Sequence, residues 1–275
     1  GYCKNFSHMF EDAVAFNQPV DHLVQFGQDL ESMFQGATSF NAGITGWWPV
    51  ARRNTAQTPT NMANMFRDAA AFNQHLGYWP TGQVVNMSGM FAGATSFNQA
   101  DISLWDVSSV RDMSSMFDGA AEFLQNINCW DVSSVQDMSA MFRRNVSGNA
   151  TLYNHSLHCW DTSSVQDTSE MFKGQMTASD LKSWRMGKVQ NATDMFRDAD
   201  FSQHCACPSF LDGLTTPHLC LSTPGNCSKP IACTQACPQR LYRALVGLEP
   251  TDPALITLTP ITFAAVVATG SSIVL

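Results

Sequence analysis

Apolar and polar positions in this chain recur as whole blocks. "DVSSVRDMSSMF" at 106–117 returns almost unchanged as "DVSSVQDMSAMF" at 131–142. A Met-Phe pair begins at Met9, Met33, Met65, Met90, Met116, Met141, Met171 and Met195, at spacings of 24, 32, 25, 26, 25, 30 and 24 residues. Four residues before each Met stands Asn or Asp: Asn5, Asp29, Asn61, Asn86, Asp112, Asp137, Asp167 and Asn191. Two residues before it, Ser or Thr fills six of the eight units (Ser7, Ser88, Ser114, Ser139, Ser169, Thr193), a hydroxyl suited to capping a helical turn. Ala stands three residues after the Phe in most units, and a second Phe three further on: Phe16, Phe40, Phe72, Phe97 and Phe123. That spacing puts Met, Phe and Ala on one helical face. The Val and Met of "VSSVQDM" suit a short buried strand, with Asp and Ser turn chemistry ahead of it. Each unit therefore predicts a short strand, one or two helical turns and an extended return, usually closed by a Trp (Trp47, Trp79, Trp105, Trp130, Trp160, Trp184). A unit this small cannot bury its apolar face alone, so the units are expected to stack into a solenoid with a continuous core.

The pattern "FNQ…W-D-V-S-S-V-x-D-M-S-x-M-F-x-G-A-x-x-F", over about residues 5–201, resembles the repeat of BspA-like leucine-rich-repeat surface proteins of mycoplasmas, other bacteria, protists and algae. The resemblance implies a leucine-rich-repeat-like fold displayed outside the cell, with adhesive or structural roles and no catalytic residues to carry over. The predicted organisation is a solenoid over 1–203, a Cys-rich disulfide module over 204–240 and a C-terminal β segment over 241–275. Two long units carry their extra residues in "WWPVARRNTAQTPT" (47–60) and "RRNVSGNATLYNHSLHC" (143–159), insertions expected to lie in loops.

Composition narrows the function classes. The 275 residues are 44% hydrophobic and 14% charged, enough apolar content for a sizeable core. A formal net charge of −8, with no Lys/Arg-rich run, argues against nucleic acid as a partner. The opening "GYCKNFSHMF" has no basic stretch followed by an apolar one and already matches the end of a unit, so residue 1 is read as a point inside a longer or processed chain.

Cysteine placement points to an oxidising compartment. Cys129 and Cys159 each precede the repeat Trp in adjacent units, where stacking would bring them within bridging distance; a disulfide is expected, two buried free thiols being the alternative. Cys205, Cys207, Cys220, Cys227, Cys233 and Cys237 fall in a Pro-, Thr- and Ser-rich stretch and read as a disulfide-stapled module. Zinc is the alternative there, disfavoured by the lack of paired C-x-x-C knuckles. Cys3 is left for a residue preceding the sequence or for the C-terminal cysteine cluster of another subunit.

Asn-x-Ser/Thr sequons occur at Asn5, Asn86, Asn145, Asn149, Asn154, Asn191 and Asn226, three of them inside the second insertion. Glycans are expected first at Asn145, Asn149 and Asn154. Asn5, Asn86 and Asn191 share the ladder column with Asp29, Asn61, Asp112, Asp137 and Asp167, so their fate depends on whether that column faces inward. Carboxylates also stack after the Trp, at Asp106, Asp131 and Asp161. Calcium is one way to compensate such a column; Asx turns onto the following Ser residues are the preferred reading, and no cofactor or metal is expected.

The seven histidines show no metal-binding spacing, and neither a G-x-S-x-G elbow nor a phosphate-cradling glycine loop appears, so no catalytic residues are assigned. Residues 254–275, "ALITLTPITFAAVVATGSSIVL", are read as one or two strands, with a membrane anchor as the alternative. The expectation is a non-enzymatic, glycosylated extracellular, cell-surface or secreted protein with structural or adhesive work. Its partners would be further copies of itself, joined into filaments through the terminal segments, or surface and matrix proteins. The alternative is a monomeric ectodomain that recognises a glycan or protein near Trp47 and Trp48.

Overall fold

A computed structural model describes residues 4–20, 28–44, 60–77, 79–144, 153, 155–175, 181 and 184–199. Within them the eight units are eight rungs, joined in sequence order by parallel β-bridges: Asn5 to Asp29, Asp29 to Asn61, Asn61 to Asn86, Asn86 to Asp112, Asp112 to Asp137, Asp137 to Asp167 and Asp167 to Asn191. Every bridge falls on the Asn/Asp column.

Local structure departs from the elements that the letters suggest. The strand expected over "VSSVQDM" contracts to one bridging residue per rung, and the helical turns expected after the Ser are replaced by a run of tight turns. Among the described residues the helix present is a 3-10 helix, Ala100–Leu104. The reason lies in two backbone positions per rung. The residue just before each Met is left-handed, from His8 (φ 59°) and Ser32 (52°) to Ala140 (53°) and Glu170 (55°); so, in seven of the rungs, is the residue two after the Phe, such as Asp12, Gly93 and Gly174. A left-handed residue in third position marks a type II turn and stops an α-helix from propagating.

The turns alternate in their hydrogen bonding, and this joins the rungs. In the unit at Met90, the amides of Met87, Gly89, Phe91 and Gly93 donate forward to the carbonyls of Asp112, Ser114, Met116 and Asp118, at 2.7–2.9 Å. The intervening amides of Met90, Ala92 and Ala94 donate three residues back within their own rung, to Met87, Gly89 and Phe91. Backbone donors and acceptors are thus satisfied by the turn and by the next rung together.

Side chains then pack in columns. The Phe of each Met-Phe pair stacks on its counterpart, with ring centroids 5.7 Å apart for Phe34–Phe66, 5.8 Å for Phe91–Phe117 and 5.7 Å for Phe142–Phe172. The second Phe column runs Phe16, Phe40, Phe72, Phe97 and Phe123 at 5.8–6.2 Å and ends on Tyr153. Within a rung the two rings lie closer, at 3.8 Å for Phe66–Phe72 and Phe117–Phe123. Trp105, Trp130, Trp160 and Trp184 form a third column, each indole Nε1 donating to a carbonyl of the preceding unit: Leu76, Ile102, Ile127 and Leu157. With the Met and Val columns these make one continuous hydrophobic cluster from Val20 to Phe196. The Met column packs inside this cluster at Met33, Met65, Met90, Met116, Met141, Met171 and Met195, whereas Met9 in the first rung is 49% exposed.

Candidate functional site

Three polar columns decorate the stack. The ladder side chains fold back on their own rungs: in all eight units the Asn or Asp Oδ1 accepts the backbone N–H two residues on, as in Asp112 with Ser114 (2.9 Å) and Asp137 with Ser139 (2.8 Å). This is an Asx turn. The Ser hydroxyl, expected to cap a helix, donates instead to that same oxygen at Asn5, Asn86, Asp112 and Asp167. Asp29, Asn61, Asp112, Asp137 and Asp167 are all half-buried.

Of the sequon asparagines in this column, Asn5 is exposed and Asn86 and Asn191 are half-buried. Asn191 Nδ2 donates to Asp167 Oδ2 at 2.9 Å. Asn145, Asn149, Asn154 and Asn226 lie outside the described residues.

The column after the Trp behaves alike. Asp106, Asp131 and Asp161 each accept the amide of the second residue on, Ser108, Ser133 and Ser163, at 3.0–3.2 Å. The bonds from Ser163 hold the Asp161 carboxyl below its ordinary value. Donors from each Asp's own turn thereby stabilise carboxylates that would otherwise repel along the stack. Among the described residues, no three His, Cys, Asp or Glu side chains gather as a metal cluster.

The third column was not singled out in the sequence. Asn17, Asn41, Asn73 and Asn98, from the recurring Phe-Asn pairs, each accept the N–H of the equivalent residue in the next rung: Asn41, Asn73, Asn98 and Leu124, at 2.9–3.0 Å. Gln74, Gln99 and Gln125 donate to Asn41, Asn73 and Asn98, completing an amide ladder. The signal was the repeated "FNQ", which reads as loop chemistry until the rungs are superposed.

Charged side chains from three rungs meet in a cluster at Arg143. Arg143 reaches Asp118 on one neighbouring rung and Glu170 on the other, and Lys173 joins Glu170. Lys173 and then Arg143 hold the Glu170 carboxyl below its ordinary value, while Asp118 and Glu170 raise Arg143. Burial pushes the Tyr153 hydroxyl up.

Cys129 and Cys159 occupy equivalent positions of adjacent units and are both disulfide-bonded. They are the two cysteines among the described residues, and the Cys159 amide donates to Asn128 Oδ1 at 2.9 Å, so each is the other's partner. Cys3 and the six cysteines from Cys205 to Cys237, together with Trp47, Trp48 and 254–275, lie outside the described residues. No described helix is long and apolar enough to cross a membrane.

Eight copies of one unit, joined rung to rung and sharing aromatic columns, define a repeat protein. The chain belongs to the family described as "Mycoplasma protein of unknown function, DUF285", which it matches over residues 2–58, 49–152 and 100–206. No curated protein and no solved structure matches it.

Proposed function

We propose that the protein is a non-enzymatic structural or adhesive component of the extracellular surface, with the rungs forming a leucine-rich-repeat-like solenoid that acts as a stiff spacer. The observation that carries this reading is the unbroken column of stacked rings from Phe10 to Phe196. Each rung is clamped to its neighbours by ring stacking and by forward backbone bonds, so bending would have to separate many contacts at once. The Cys129–Cys159 bridge supports an oxidising setting. N-glycans at Asn145, Asn149 and Asn154 belong to this reading, as do disulfides within 205–237 and assembly through the terminal segments into filaments.

The test is negative-stain electron microscopy of the protein from its native source under non-reducing conditions. Regular fibres are the expected result. Dispersed single particles that retain a ligand on a glycan array would replace this reading with that of a recognition ectodomain.

A further inference from the structure

The bridge between the fifth and sixth repeats of the stack has an imidazole against it. His158 Nε2 lies 3.4 Å from Cys159 Sγ, and its Nδ1 lies 2.8 Å from Ser156 Oγ and 3.4 Å from Asn128 Nδ2. Asn128 is 1% exposed, and its orientation is fixed because Oδ1 accepts the Cys159 amide. Its NH2 group must therefore face His158. A donor facing Nδ1 makes that nitrogen the acceptor, and Ser156 can add its hydroxyl proton there, since Ser156 Oγ in turn faces the His158 amide at 3.4 Å. The proton of the neutral ring then sits on Nε2 and points at Cys159 Sγ. His158, Cys159 and Cys129 are all half-buried rather than sealed in the core.

We propose that this bridge is a thiol-exchange site, in which a thiolate attacks Cys129 Sγ and His158 holds Cys159 as the leaving group. The attacking sulfur bonds to Cys129 as the Sγ–Sγ bond breaks, and the electron pair departs on Cys159 as thiolate. The incoming thiol is oxidised to a mixed disulfide and Cys159 is reduced; the proton lost by that thiol on ionising is available to Cys159 from solvent. His158 Nε2–H stabilises the thiolate by a charge-assisted hydrogen bond that is weak to the neutral disulfide sulfur. The ligand class is a small thiol or an exposed partner cysteine, so the site provides a covalent attachment point on the stack. The proposal rests on the Cys129–Cys159 pairing and not on the spacer function.

The full chain is incubated with glutathione and quenched with iodoacetamide, and each cysteine is mapped by peptide mass spectrometry. The expected product carries glutathione on Cys129 and the alkyl group on Cys159. In His158→Phe, which keeps a ring but has no N–H, the rate should fall on the order of tenfold and the preference for Cys129 should disappear. His158→Gln retains a donor and should recover part of both. Native-like tryptophan fluorescence in each variant excludes misfolding. Glutathione chiefly on Cys159 in the wild type overturns the proposal without any variant, and so does an unchanged rate and product ratio in His158→Phe.

Discussion

Gly119 and Gly174 stand at the same place in two rungs, with φ of 69° and 71°. Replacing either with Ala puts a Cβ into the left-handed region at about 1–2 kcal/mol, partly offset by the lower entropy of the unfolded chain. What differs is the space. A Cβ on Gly119 would meet nothing nearer than the Gly93 amide nitrogen at 3.9 Å, whereas on Gly174 it would lie 2.6 Å from the Arg144 carbonyl oxygen. That carbonyl is not free to retreat, because the Arg144 amide donates to Lys173 at 2.9 Å and the Gly174 amide donates onward to Arg197 at 2.8 Å. Relieving the overlap would stretch one of these rung-to-rung bonds, an overpacking penalty of about 1–3 kcal/mol. Gly119→Ala should therefore destabilise by about 1 kcal/mol and Gly174→Ala by about 2–4 kcal/mol. Urea unfolding followed by tryptophan fluorescence reads both, since Trp160 and Trp184 are buried beside the Gly174 rung. Equal losses in the two variants, within about 0.5 kcal/mol, would refute the rung spacing on which the argument rests.

Trp130→Phe removes the indole bond at 3.0 Å to the Ile102 carbonyl, which keeps the Trp105 amide, and empties part of a buried ring's space, and should destabilise by about 1–3 kcal/mol in the same unfolding assay. Asp137→Ala removes the acceptor for the Ser139 amide and should cost about 0.5–2 kcal/mol, as loss of a cap does, while Asp137→Asn should be near neutral because Asn serves at Asn61 and Asn86. Glu170→Gln should destabilise at neutral pH by about 0.2–1 kcal/mol. Because Lys173 and Arg143 lower the folded-state value, this contribution is present above the ordinary carboxylate range and lost as pH falls through the lowered value, so wild type and variant should converge in acid unfolding curves.

The period, the Asn/Asp column and the two Phe columns could be read from the letters because each admits few residue types. A β-bridge with an Asx turn needs a short side chain carrying an oxygen acceptor, and a ring column needs rings. The left-handed positions were hidden for the opposite reason. Before the Met they hold His8, Ser32, Asn64, Gly89, Ser115, Ala140, Glu170 and Asp194, with no common chemistry. Their conformation comes from the forward backbone bonds, which can hold even Ala140 and Glu170 where a β-carbon is unwelcome. A Met-Phe-Ala spacing that fits a helical face therefore fits a series of turns equally well, and no pattern of side chains separates the two. The indole-to-carbonyl bonds and the Asn17–Asn98 ladder were also out of reach, since both join residues about 24–33 positions apart.

The long units show how such a stack admits variation. Asp29 and Asn61 are 32 residues apart, and Asp137 and Asp167 are 30 apart, yet each pair bridges like those at the usual spacing. Ring stacking holds across the same junctions, at 5.7 Å for both Phe34–Phe66 and Phe142–Phe172. In the second case the position of the second Phe is filled from within the long unit's added stretch by Tyr153, which stacks on Phe142 at 4.7 Å and on Phe123 at 6.1 Å. Register is fixed by a polar column and an aromatic column acting at different points of the rung, so a shift would have to break both together. The greater length of these two units leaves both columns in register, and the entropy of closing a longer connection grows slowly. Sequence between the two columns is thus free to diverge while the stack stays in register, and a function carried there can change without a change in the fold.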